Sequence, residues 1–80
     1  MPFTPEELDC IFTYHAPHGD QLDRFRALRV MARQFAKAIV ALSPVSREQS
    51  MAVSHVQEAV MCVNAAIAIH ESEGPHVEEA

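Results

Sequence analysis

Residues able to meet an anion are concentrated in one part of this 80-residue chain. Arg24, Arg26, Arg29, Arg33 and Lys37 are five of its six basic side chains, and no acid falls between Arg24 and Arg47, although the net charge is −5. In a helix at about 100° per residue, Arg26, Arg29, Arg33 and Lys37 stay within roughly one third of the circumference, a stripe about 16 Å long. A basic stripe is often no more than a solvated face. Solubility alone, however, is served by mixed signs, and here the acids are missing. Immediately upstream runs Phe12-Thr13-Tyr14-His15-Ala16-Pro17-His18-Gly19, a loop with aromatic and imidazole side chains. An aromatic plate beside cationic groups is what a nucleobase and its phosphate require. Tyr14, His15 and Pro17 of the loop and Arg26, Arg29 and Arg33 of the stripe are the candidate ligand contacts. For Tyr14, a half-buried anchor at a loop–helix junction is the competing role.

Other chemistry finds little support. His15 and His18 have HxxH spacing, but they straddle Pro17 in a loop, and no cysteine or carboxylate pattern supplies the further ligands zinc needs. No metal site is expected. Ser46 with His55, or Cys10 with His15, lacks a third member and an oxyanion motif. There is no phosphate-binding glycine loop and no paired-carboxylate signature, so no enzyme and no cofactor are expected. The acidic balance argues against a general duplex-DNA binder, whose basic footprint covers the domain. A local stripe suits a small discrete anion better.

The elements that position these residues read as helices. Thr4-Pro5-Glu6-Glu7 is a capping box with proline in the first turn, starting a short helix to about Ile11, which Leu8 and Ile11 dock. Pro17 and Gly19 break the chain, and Asp20 caps a central helix over Gln21 to Leu42. Its apolar face is Leu22, Phe25, Leu28, Ala32, Phe35, Ala36, Ile39 and Leu42. Ser43-Pro44-Val45-Ser46 ends it, and Ser46 with Gln49 forms a second capping box. A connection this short makes the two long helices antiparallel neighbours. The third runs from about Arg47 to Glu71, about 37 Å.

Between Ala59 and Ile69 that third helix is apolar nearly all round, the mark of a buried helix. One long and one short partner cannot enclose it, so self-association is expected. Asn64 within this stretch then needs a hydrogen-bond partner, as a register-setting asparagine does in an oligomer. The stretch is about half the length of a bilayer span. Cys10 and Cys62 sit among apolar neighbours and read as small core residues of a reducing compartment. The whole, residues 1–80, is read as one helical domain with an ordered core at about 4–71 and a flexible acidic tail at 72–80.

Three separated motifs carry a resemblance: FTYHAP before a Gln- and Arg-rich helix, then SPVSREQSMA, then EAVMCVNAAIAIHE. In this order they resemble the small phage-encoded anti-CBASS sponges, the second such family described, over about Phe12 to Glu71. The resemblance implies an all-α protomer assembled as a homohexamer in the cytoplasm of an infected bacterium. It implies that cyclic dinucleotides of the 3′,3′-cGAMP type are sequestered, uncleaved, between protomers, and cyclic trinucleotides in separate pockets. A tyrosine of the family's TYH motif stacks on a base, matching Tyr14, and a basic residue on the next helix meets phosphate, best matched by Arg29. Relatives carry an arginine of the trinucleotide pocket where this chain has Ile69-His70, which makes His70 the candidate for a second, weakened site. The alternative from another class is an oligomeric adaptor that meets a protein partner through the basic helix.

Overall fold

Where each helix stops is decided by a few side chains at its ends. A computed structural model describes residues 2–71 as three helices, α1 (Pro5–Phe12), α2 (Gln21–Leu42) and α3 (Arg47–His70), with no strand among the described residues. The fold is therefore all-α, with a short N-terminal helix followed by two long antiparallel ones. The tail expected to be flexible, 72–80, lies outside the described residues.

Thr4 caps α1, its hydroxyl accepting the Glu7 N–H at 3.1 Å, with Pro5 in the first turn. The helix runs one residue past the expected end. Thr13 then turns extended, and its hydroxyl donates back to the Asp9 carbonyl, occupying a group the helix end leaves unpaired. Gly19, at φ +57, supplies the left-handed residue that lets the loop enter α2.

The start of α2 differs from expectation. Asp20 occupies the cap position but makes no side-chain cap bond; its backbone (φ −89, ψ 10) is not extended, the geometry that aims a cap side chain at the free N–H groups. Its carboxylate instead pairs with Arg24, one turn on, at 3.2 Å. The turn is closed by Gln21, which donates its backbone N–H to the His18 carbonyl and takes the His18 N–H on Oε1, both at 3.1 Å.

At the other end of the hairpin, Ser46 accepts the Gln49 N–H at 3.1 Å and caps α3. The Gln49 amide nitrogen turns to α2, donating to the Ser43 carbonyl at 3.1 Å, the Ser43 hydroxyl at 3.0 Å and the Val40 carbonyl at 3.3 Å. One side chain thereby satisfies orphan carbonyls at the end of α2 while its own backbone starts α3. The third helix closes one residue short of expectation, with the Glu71 N–H donating to the Ile67 carbonyl at 3.1 Å.

Packing within one chain is thin. Ile67, at 8% exposure, is the one buried apolar side chain among the described residues. The expected apolar face of α2 is only partly covered. Leu28, Ala32 and Ile39 are half-buried along the seam with Val56, Val60 and Val63 of α3. Phe35 and Leu42 remain 61% and 86% exposed, because two crossing helices touch along one line. Cys62 is exposed rather than a core residue, and Cys10 is half-buried. Cys10 also contacts α3, its thiol donating to the Ile69 carbonyl at 3.8 Å. Leu8 and Ile11, expected to dock the helix, keep 41% and 40% of their surface exposed. By length and composition alone α3 could cross a bilayer, since it holds an 18-residue window of mean hydropathy 1.4, whereas the Ala59–Ile69 stretch is too short.

Candidate anion-binding face

The basic residues of α2 divide by partner. Arg24 is half-buried and committed: its guanidinium holds Asp20 at 3.2 Å and meets both carboxylate oxygens of Glu71, one at 2.9 Å. That pairing raises Arg24 further above its ordinary value, and the Arg24 hydrogen bonds hold the Glu71 carboxyl down to about 2. Loss of hydration opposes the Glu71 shift, and a hydrogen bond from Gln21 assists it. Arg26, Arg29, Arg33 and Lys37 are exposed on another face. Among the described residues none of these four has an ion-pair or hydrogen-bond partner. They are the anion-competent set.

Gln21 is the polar residue that sequence reading passed over. It is 3% exposed, and its amide donates to the Ile67 carbonyl and to Glu71 Oε1, each at 3.4 Å. With His18, whose Nε2 lies 2.6 Å from the Glu71 carbonyl, it ties the start of α2 to the end of α3. Nothing local announces this, since glutamine at a helix start is ordinary; only the antiparallel pairing brings Glu71 to it.

Tyr14 is 73% exposed while its neighbour His15 is half-buried, the alternation of an extended segment. The His15 ring nitrogen Nε2 is engaged with the Cys10 carbonyl at 2.8 Å, so His15 anchors the loop on α1 and presents Tyr14 outward. Pro17 is exposed in the same loop, and His70 is exposed as the last residue of α3. These lie at the Gln21–Glu71 end of the hairpin, the end from which the basic stripe starts. Within the chain no hydrogen bond among the described residues joins Tyr14 to Arg26, Arg29 or Arg33.

Of the grooves beside the α2–α3 seam, two differ in charge. One, of about 790 Å³, is apolar and lined by Met31, Phe35, Ile39, Val56 and Ala59, with His55 at its edge. The other, of about 380 Å³, has an apolar floor of Ala36, Val40, Ala41 and Val53 beside Arg33 and Lys37. Asn64 is eleven residues from Val53, so within about 20° of the same helix direction. Its Oδ1 is buried with no hydrogen-bond partner among the described residues.

No curated protein and no solved structure matches the chain. A family model, the hairpin domain of Acb2/Tad1, matches residues 5–68, from the first residue of α1 to within three residues of the end of α3. The matched span contains the capped hairpin, the Tyr14 loop and the whole free basic stripe. The chain belongs to the Acb2/Tad1 hairpin family, of which Acb2 is the anti-CBASS cyclic-oligonucleotide sponge.

Proposed function

We propose that this protein binds and sequesters cyclic dinucleotides of the 3′,3′-cGAMP type, without cleaving them, and so blocks antiphage signalling in the cytoplasm of an infected bacterium. One observation carries the reading: within a family that includes a cyclic-oligonucleotide sponge, this chain keeps four cations of one helix face without acidic partners, and the loop that leads into that helix carries an exposed tyrosine. A cyclic dinucleotide carries two phosphates and two bases. Two copies related by a two-fold each supply one Tyr14 plate and one Arg29 guanidinium. Stacking contributes about 1–3 kcal/mol per base. Arg26 and Arg33 extend the phosphate contact along the stripe, and His15 and Pro17 shape the loop that carries Tyr14. Sequestration makes no demand for a nucleophile, a general base or a metal.

Assembly into a homohexamer belongs to the same proposal. The exposed apolar faces of α2 and α3 and the unpartnered Asn64 Oδ1 support self-association, since copies of the chain would cover the first and supply a donor to the second. Native mass spectrometry with a panel of cyclic di- and trinucleotides tests both parts. A hexamer that takes up a fixed number of intact dinucleotides, released unchanged on denaturation, is the expected result. A hexamer that takes up none would overturn the ligand and favour a protein partner at the basic helix. Uptake of trinucleotide would assign the second site to the surroundings of His70.

A further inference from the structure

We infer that His15 and His18 are positioning residues for the ligand: the two imidazoles pin the loop on either side of Pro17, so that Tyr14 stands as a pre-formed plate. This rests on the ligand reading above and assigns how that site is held before ligand arrives. Each imidazole closes a helix. His15 Nε2 meets the Cys10 carbonyl, in the last turn of α1, at 2.8 Å. His18 Nε2 meets the carbonyl of Glu71, the residue that closes α3, at 2.6 Å. A carbonyl only accepts, so both Nε2 atoms donate. Carbonyls at helix C-termini lack helical partners and carry partial negative charge, which suits a donating imidazole. The HxxH spacing thus serves two helix ends.

Tyr14 sits between two such bonds. Before it, Thr13 donates its hydroxyl to the Asp9 carbonyl, and after it, His15 holds the Cys10 carbonyl. Both sequence neighbours are thus bonded to the last turn of α1, while the Tyr14 side of the loop stays 73% exposed. Ala16-Pro17 removes further freedom, since proline fixes its own φ and restricts the residue before it. His18 is then held at three points. Its N–H lies on Gln21 Oε1 and its carbonyl takes the Gln21 N–H, both at 3.1 Å, and its ring holds Glu71. A base stacking on Tyr14 meets a backbone already ordered, so the ordering cost falls on folding and not on binding. The His18 bond uses the Glu71 backbone, whereas Arg24 uses the Glu71 carboxylate. Removal of the Arg24 side chain therefore leaves this staple its acceptor.

Tyr14 is the only tyrosine and the chain has no tryptophan, so intrinsic fluorescence anisotropy reports on this one side chain. The test sets that anisotropy, in the unliganded protein, beside calorimetric titration with 3′,3′-cGAMP, at a temperature where circular dichroism shows the variants helical. His15→Ala and His18→Ala each lower the anisotropy and raise the Kd about tenfold, on the order of fixing one residue's backbone. His15→Gln and His18→Gln, which keep an N–H donor at the reach of Nε2, restore both. Thr13→Val also lowers the anisotropy, and provides the readout should a histidine variant fail to fold. Arg24→Ala lowers the melting temperature yet keeps the anisotropy, which separates positioning from stability. Parent anisotropy in both alanine variants would overturn the inference, as would lowered anisotropy at parent affinity. Failure of glutamine to rescue would overturn it too, since the ring itself would then be needed. A parent that takes up no cyclic dinucleotide would overturn the proposed function, a separate result read from the parent's titration alone.

Discussion

Arg24 and Glu71 clasp the open end of the hairpin: the guanidinium near the start of α2 meets both carboxylate oxygens of the residue that closes α3. The Glu71 carboxyl is held at about 2, against an ordinary 4.5, chiefly by those hydrogen bonds. Because the folded-state value is the lower one, the contribution of Glu71 is fully present above pH 4.5 and is lost as pH falls from 4.5 to about 2. Wild type and Glu71→Gln should therefore differ in thermal stability at pH 6 and converge toward pH 2. A difference unchanged down to pH 2 would show that the clasp does not depend on the Glu71 charge.

Tyr14→Ala and Arg29→Ala should each abolish dinucleotide uptake at ligand concentrations that saturate the parent, with helicity and oligomer mass unchanged. Tyr14→Phe should retain most binding, since the plate and not the hydroxyl is used. Calorimetric titration decides it. Normal binding by both alanine variants would remove the site from these residues.

Arg24→Ala should behave in the opposite way from Arg29→Ala. It should leave Glu71 without its cation and lower the melting temperature, while the exposed basic stripe is untouched and ligand affinity stays within about threefold of the parent. A large loss of affinity with no loss of stability would place Arg24 in the site.

Gln21→Ala should cost about 1–2 kcal/mol in chemical denaturation, because a nearly inaccessible side chain loses bonds to Ile67, Glu71 and His18 together. At the other end, Ser46→Ala should cost about 1 kcal/mol through the lost cap of α3. If the two substitutions are combined, their costs should add, since they act at opposite ends of the hairpin.

The helices were legible because their ends are written in local chemistry. Thr4-Pro5, Ser43-Pro44 and Ser46 act within one turn, and the starts of α1 and α3 and the end of α2 fall where those residues put them. Asp20 was misread for the same reason in reverse: a capping residue type sits at a capping position, but Arg24 competes for its carboxylate from one turn away. The docking of α1 was not legible either. Leu8 and Ile11 are the obvious apolar pair, yet Cys10 faces the hairpin, and which side of so short a helix turns inward is set by long-range contact with Ile69. The cationic stripe was visible from spacing alone. What spacing did not reveal is that Arg24 stands apart from it, because its partner Glu71 is 47 positions away in sequence.

Ile67 as the lone buried apolar side chain among the described residues has a consequence for how the protein behaves as it accumulates. In the proposed assembly a chain with so little interior of its own would gain its remaining burial from neighbours, so its melting temperature should climb with protein concentration. Early in expression, dilute chains would be marginal and open to proteolysis; past a threshold, assembly would rescue them together. The capacity to soak up ligand would then rise more steeply than the amount of protein made.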